Sequence, residues 1–314
     1  MITTITLNPA VDKLYLVDGI TEGTVMRVQQ VLNTAGGKGL NVSRVARLLG
    51  EEVTALSFAG GHNGDFLTQG LEQTGIRSNF VSVPGETRCC INIRDIKTGR
   101  HTEFLEPGQP IEPAAFDELL RRYETILPQS KVVVISGSTP KGTPADFYGK
   151  LIRLAKAAHV PVILDTSGAA LKEALSAKPT MIKPNREELA ALAGIDPEDN
   201  AAILEAARQL CRSGIDAVVV SLGSEGALYI SREAALRGIA PKIDVQNTVG
   251  CGDSMVAGFA VAIAKGLSPE DALCLAMACG AANAADLRTG WADPRLIEQY
   301  LPQCQTERIE ELCW

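Results

Sequence analysis

Short apolar runs rich in β-branched residues return along this chain, separated by segments with helical periodicity. Ile2–Leu7, Val53–Phe58, Val132–Ile135, Val160–Leu164 and Ala217–Ser221 each have the length and composition of a fully buried strand. Between several of them lie stretches such as Ala145–Ala158 and Ala201–Cys211, whose apolar residues recur at the helical period. Strands joined through helices can lie parallel, because a parallel pair needs a long crossover. A parallel sheet must also be covered on both faces. The alternation therefore predicts an α/β protein with three layers, helices on either side of a mostly parallel central sheet. The last part, Gly252–Ala285, reads as two successive buried helices.

Two stretches break that rhythm. Leu14–Thr34 and Arg88–Leu105 alternate apolar and polar residues, with turn signals at Asp18-Gly19 and Lys97-Thr98-Gly99. They predict a small antiparallel β lid, formed by about 12–34 and 86–106, over the edge of the main sheet. Its alternation leaves an apolar face that suits a homodimer interface. No internal repeat or Pro/Ser-rich linker interrupts the chain, so 1–314 is expected to be a single domain.

Composition excludes several classes of partner. The formal net charge is −7 and no run of Lys and Arg follows a phosphate backbone, so nucleic acid is not expected. Aromatic residues make up only 4%, too few for a base-stacking platform. The start, MITTITLNPAVDK, lacks a basic segment followed by an apolar core, and the longest apolar runs are too short for a bilayer. No membrane association is expected, and a cytoplasmic location is. Eight cysteines without CxxC spacing, beside three histidines, read as free thiols rather than zinc ligands.

Ligands of parallel α/β sheets bind beyond the carboxyl ends of the strands. Polar or glycine-rich turns follow the candidate strands there: Asn8–Asp12, Ser136–Ser138, Asp165–Gly168 and Ser221–Gly226. Ala35-Gly36-Gly37-Lys38-Gly39-Leu40-Asn41 opens a helix Leu40–Leu49 with glycines that admit a ligand close to the backbone. It is neither a phosphate-binding loop of the GxxxxGK[ST] kind nor a dinucleotide fingerprint. A phosphate or a polyol fits it, as does a plain glycine turn. Residues 247–259, NTVGCGDSMVAGF, place Asp253 in the first turn of an apolar helix, beside free N–H groups that attract anions. That carboxylate reads either as a cap or as a base beside a phosphate cradle. Asn185 and Glu188, three apart at another helix start, read as a capping box or as a Mg²⁺ site. Of the arginines on the lid stretches, Arg88 follows Gly85-Glu86-Thr87 and suits a dianionic phosphate.

Taken together, AGGKGLNVSR (35–44) and NTVGCGDSMVAGF resemble the two signatures of the ribokinase-like (PfkB) carbohydrate kinases. NPAVD, KPNREE and SLGSEGA are similar to further segments of that family, in the same order. The resemblance implies a ribokinase-like fold and transfer of phosphate from ATP, with Mg²⁺. It implies that Asp253 is the general base, with an anion hole from Gly250, Cys251 and Gly252. Cys251 departs from the more usual Ala or Ser. Asp12, Gly37, Lys38 and Asn41 would bind the sugar, with Arg88 or Lys38 near its phosphate. Asn185, Ser221, Gly223, Gly226 and Asn283 would line the ATP site, and Glu188 would organise Mg²⁺. NPAVD, GGKG and GETR look most like the subgroup of 1-phosphofructokinases and tagatose-6-phosphate kinases. The implied substrate is a phosphorylated ketohexose, tagatose 6-phosphate slightly favoured. A kinase of an unphosphorylated sugar or nucleoside is the alternative, as is a non-catalytic sugar-phosphate sensor.

Overall fold

The computed structural model describes residues 1–309. Ten strands form a large sheet: β1 (Ile2–Thr6), β4 (Val53–Ala59), β5 (Arg77–Ser82), β8 (Val132–Ser136), β9 (Val162–Asp165), β10 (Met181–Ile182), β11 (Ala217–Ser221), β12 (Ala227–Ser231), β13 (Ala235–Ile239) and β14 (Gln305–Arg308). Four more form a small sheet: β2 (Ala10–Val17), β3 (Gln30–Gly36), β6 (Cys89–Asp95) and β7 (His101–Leu105). The large sheet runs β14-β13-β12-β11-β10-β9-β8-β1-β4-β5. From β11 to β5 every neighbouring pair is parallel, whereas β12, β13 and β14 extend one edge in antiparallel fashion.

Alternate residues of the central strands serve different cores. Val132 and Val134 face one cluster, built with helices Lys38–Leu48, Cys251–Lys265 and Pro269–Ala284. Val133 and Ile135 face the other, built with helices Pro113–Ile126, Phe147–Ala157 and Asn200–Arg212. Because both faces are covered, these strands read as unbroken apolar runs. Helix Cys251–Lys265 is buried throughout its middle and packs on the next helix at a glycine. A Cβ on Gly258 would sit 2.6 Å from the Ala276 Cα.

The small sheet consists of two antiparallel hairpins, β2-β3 and β6-β7, joined by a parallel pairing of β2 with β6. The β6-β7 turn is tight: the Asp95 carboxylate accepts from Lys97 N and Thr98 Oγ1, each at 2.9 Å. Asp18-Gly19 does not make a comparable turn. It opens a connection that reaches β3 only at Gln30, so β2 and β3 are joined by a long loop. Two boundaries also shift. The strand expected from Val160 begins at Val162, after Pro161, which has no N–H for the ladder. The helix expected from Leu40 begins at Lys38, directly after Gly37 at φ 100°.

Candidate active site

The ends of β1, β8, β9, β10 and β11 open on one side into a cleft of about 540 Å³, walled opposite by the small sheet. Asp12, Gly37, Lys38, Asn41, Arg88, Asn185, Glu188, Ser221, Gly250, Gly252 and Asp253 line it together. Residues hundreds of positions apart thus share one space.

The floor of the cleft is the turn before helix Cys251–Lys265. Gly250 adopts φ 85°, and a Cβ there would lie 2.7 Å from Gly290 N, so only glycine fits without displacing backbone. This left-handed residue turns the chain so that the helix begins with Asp253 in its first turn. Cys251 is not among the lining residues. Its thiol points behind the turn toward Asn247 O at 3.8 Å, and its N–H reaches Thr248 O at 3.3 Å.

Asp253 is 6% exposed and accepts a hydrogen bond from Asn41 Nδ2 at 2.9 Å. Burial pushes its carboxyl up to about 6. The Lys38 charge, the Asn41 amide and the Lys183 charge oppose that rise, and the Asp165 carboxylate reinforces it. A base with such a pKa is ionised at neutral pH yet retains affinity for a proton. Asp12 is likewise raised by burial to about 6, against the Gly37 N–H and the Arg44 charge.

Asp165, at the end of β9, lies between two ammonium groups, Lys183 Nζ at 3.4 Å and Lys38 Nζ at 3.8 Å. Burial alone would raise its carboxyl, but the two lysines and a hydrogen bond from Ser136 Oγ hold it below the ordinary value. The same carboxylate is the main reason the half-exposed Lys38 is held above its usual value and stays charged. Lys183 is 6% exposed, and its Nζ lies 3.3 Å from where a Gly252 Cβ would stand. Lys183 and Asp165 are the functional candidates that sequence reasoning did not single out. Both sit in turns that follow strands, KPN and DTSG, and that position was the available signal.

Other expected residues stand differently. Asn185 and Glu188 form a full capping box: Glu188 N donates to Asn185 Oδ1 at 2.7 Å, and Asn185 N donates to Glu188 Oε2 at 2.9 Å. Both also line the cleft, so capping and cleft positions coincide. The Arg88 guanidinium donates to Asn8 O at 2.9 Å and Glu106 O at 2.7 Å, tying the small sheet to the end of β1. Gly223 and Gly226 are outside the lining; Gly226, at φ 99°, shapes the β11-β12 turn against Gly238 O. Asn283 requires a correction. It is fully buried behind the floor, donating to Val249 O at 2.9 Å and accepting from Ser254 Oγ and Trp291 N at 3.2 and 3.1 Å. Its amide braces the turn rather than lining a nucleotide site.

Among the described residues no group of three or more His, Cys, Asp or Glu makes a metal cage. Mg²⁺ does not need one, since one or two carboxylates plus phosphate oxygens and water hold it. Glu188 at the cleft suits that mode.

A left-handed glycine turn, a helix start with a buried carboxylate and two lysines held by Asp165 form the equipment of a phosphotransferase. The family model "pfkB family carbohydrate kinase" matches residues 2–292, and the chain belongs to that family. It is 40% identical over 312 residues to a tagatose-6-phosphate kinase of Staphylococcus epidermidis, covering 98% of this chain and all of that protein. Among solved structures it is similar to phosphofructokinase-2 from Escherichia coli in complex with substrates and products. That match has 28% identity and a TM-score of 0.89, covering 96% of this chain and 98% of the other. It is also similar to the Thermotoga maritima protein named "Possible 1-phosphofructokinase". Here identity is 27% and TM-score 0.87, over 99% of this chain and 100% of that one.

Proposed function

We propose that this chain transfers the γ-phosphoryl group of ATP to a primary hydroxyl of a ketohexose monophosphate, giving the 1,6-bisphosphate. Tagatose 6-phosphate is the favoured acceptor. The observation that carries this reading is the Asp253 carboxylate, held at the mouth of the helix start between Asn41 and the lysines. In the reaction the acceptor oxygen bonds to the γ-phosphorus while the bond to the bridging oxygen of ADP breaks. The hydroxyl proton passes to Asp253. Phosphoryl transfer of this kind depends on positioning and on charge stabilisation more than on a strong base. The N–H groups of Gly250 and Gly252 and the helix dipole would stabilise the moving phosphoryl group, while the Cys251 N–H is engaged by Thr248 O. Lys38 and Lys183 would draw its negative charge into the cleft, with Asp165 holding both ammoniums in place. Glu188 would hold Mg²⁺, which, when bound, neutralises charge on the phosphate oxygens.

In this reading the small sheet is a lid that keeps water from the site. Val31 and Phe104, 49% and 58% exposed on the face turned away from the cleft, are the surface through which a homodimer would form. All seven cysteines among the described residues are free thiols, which suits a cytoplasmic enzyme.

The second reading is a 1-phosphofructokinase, which the likeness to the Thermotoga maritima protein favours. A coupled ADP-release assay with Mg²⁺ separates them, comparing tagatose 6-phosphate, fructose 1-phosphate, fructose 6-phosphate and free fructose. The highest kcat/KM is expected with tagatose 6-phosphate. A preference for free fructose would overturn the phosphorylated-substrate reading.

A further inference from the structure

Arg44 does not itself line the cleft, yet its guanidinium lies directly behind residues that do. It is 4% exposed on helix Lys38–Leu48. Nη1 donates to Asn41 Oδ1 at 3.2 Å, Thr289 O at 3.2 Å and Gly290 O at 3.1 Å, and Nη2 donates to Ala35 O. An arginine has donors only. The amide oxygen of Asn41 must therefore face Arg44, and its NH₂ must face Asp253, where it donates to Oδ2 at 2.9 Å. One carboxylate oxygen of Asp253 is held in this way, and the other is left for the acceptor hydroxyl. The same fork fixes Gly290, whose N–H stands 2.7 Å from the position a Gly250 Cβ would take. Arg44 thus connects the base to the turn that cradles phosphate.

We propose that Arg44 is a positioning residue that acts through Asn41, orienting the Asp253 carboxylate and keeping it ionised. This rests on the phosphoryl-transfer reading above. If the relay is cut, the Asn41 side chain is no longer pinned from behind, and its NH₂ can leave the carboxylate without its donor. Its pKa then rises, because a hydrogen bond to the charged form favours that form. The other titratable groups facing Asp253 stay in place: Lys38 on the same helix as Arg44, Asp165 at the end of β9, Lys183 beyond β10, Asp12 on β2 and the neutral Cys251 thiol on its own helix.

The test measures kcat and KM against pH for the wild-type enzyme, Arg44→Lys, Asn41→Leu and the double variant, with thermal unfolding as a check of folding. Arg44→Lys and Asn41→Leu are each expected to move the acid limb of the kcat profile up by about one pH unit. Each should also lower kcat by up to about 10²-fold, as small misplacements do, while KM for ATP stays nearly constant. The double variant should lose little more than either single one, the signature of residues acting as a unit. An acid limb unmoved in Asn41→Leu overturns the relay even if Arg44→Lys fails to fold. Losses that multiply in the double variant overturn it as well. Wild-type protein inactive on every sugar phosphate would instead remove the kinase reading itself.

Discussion

The two walls of the cleft are built on opposite principles. The floor, formed by the ends of β1, β8, β9 and β10 and the start of helix Cys251–Lys265, sets its polar side chains deep, with Asn41, Asp165, Lys183 and Asp253 all buried. Asn41, Arg44, Asn247 and Asn283 make it a closed polar network, in which each amide has partners on both sides. The small sheet opposite carries exposed apolar side chains, Leu105 at 64% among them, and is joined to the body mainly through Arg88, helix Gly61–Gln73 and its own chain connections. Groups that must keep sub-ångström geometry are set on the buried wall, where side chains cannot change rotamer freely. Under the proposed function, the groups that would meet the variable part of a substrate are set on the open one.

If this division holds, damage to the floor costs chemistry and damage to the sheet costs affinity. The largest loss is expected for Asp253→Asn, about 10²–10⁴-fold in kcat, measured in the coupled assay. Its stability should move the other way. Asp253 has a folded-state pKa raised above the unfolded value, so the native state loses stability as pH rises from about 4 to about 6, and the penalty is complete at neutral pH. Unfolding followed at pH 7.5 should therefore show Asp253→Asn no less stable than wild type. The same pKa sets the next effect. The base must be ionised, so kcat should fall about tenfold for each pH unit below about 6; a flat profile down to pH 5 would separate Asp253 from the chemistry.

Gly250→Ala meets both a left-handed backbone and the Gly290 N–H. It should cost about 1–3 kcal/mol in urea unfolding, with kcat reduced alongside. Asn185→Ala removes one half of the capping box and should cost about 1 kcal/mol by the same measurement. Leu105→Ser, on the open wall, is expected to stay within about 0.5 kcal/mol of wild-type stability. Its effect should appear as a higher KM for the sugar phosphate at nearly constant kcat. A large kcat loss in that variant would break the contrast between the walls.

What could be read from the sequence was whatever local chemistry announces. The β-branched runs gave away the parallel strands because burial on both faces leaves no polar positions. Gly37, Gly250 and the apolar residues after Asp253 marked helix starts open to anions, since glycine and an unpaired N–H are local properties. Long-range placement was hidden. Arg44 bonds to Thr289 across 245 positions, and nothing in the residues around either one signals it. Lys183 looks like an ordinary turn lysine until Asp165 is placed beside it. Asn283 could not be told from a ligand contact, because an asparagine serves equally as a brace or as a binding group. The edge strands β12 to β14 were missed for another reason: they are short, and partly exposed residues blur their alternation.

The glycine contact between Gly258 and Ala276 has a consequence for how this scaffold can be altered. With no room for even one methyl group, the helix that begins at the Gly250 turn cannot slide or tilt on its neighbour to fit a longer or shorter acceptor. The reaction centre is a fixed reference point. Any new sugar must be brought to it, so retooling falls to the opposite wall, where β2, β3, β6 and β7 contribute Leu14, Leu32, Asn92 and Leu105.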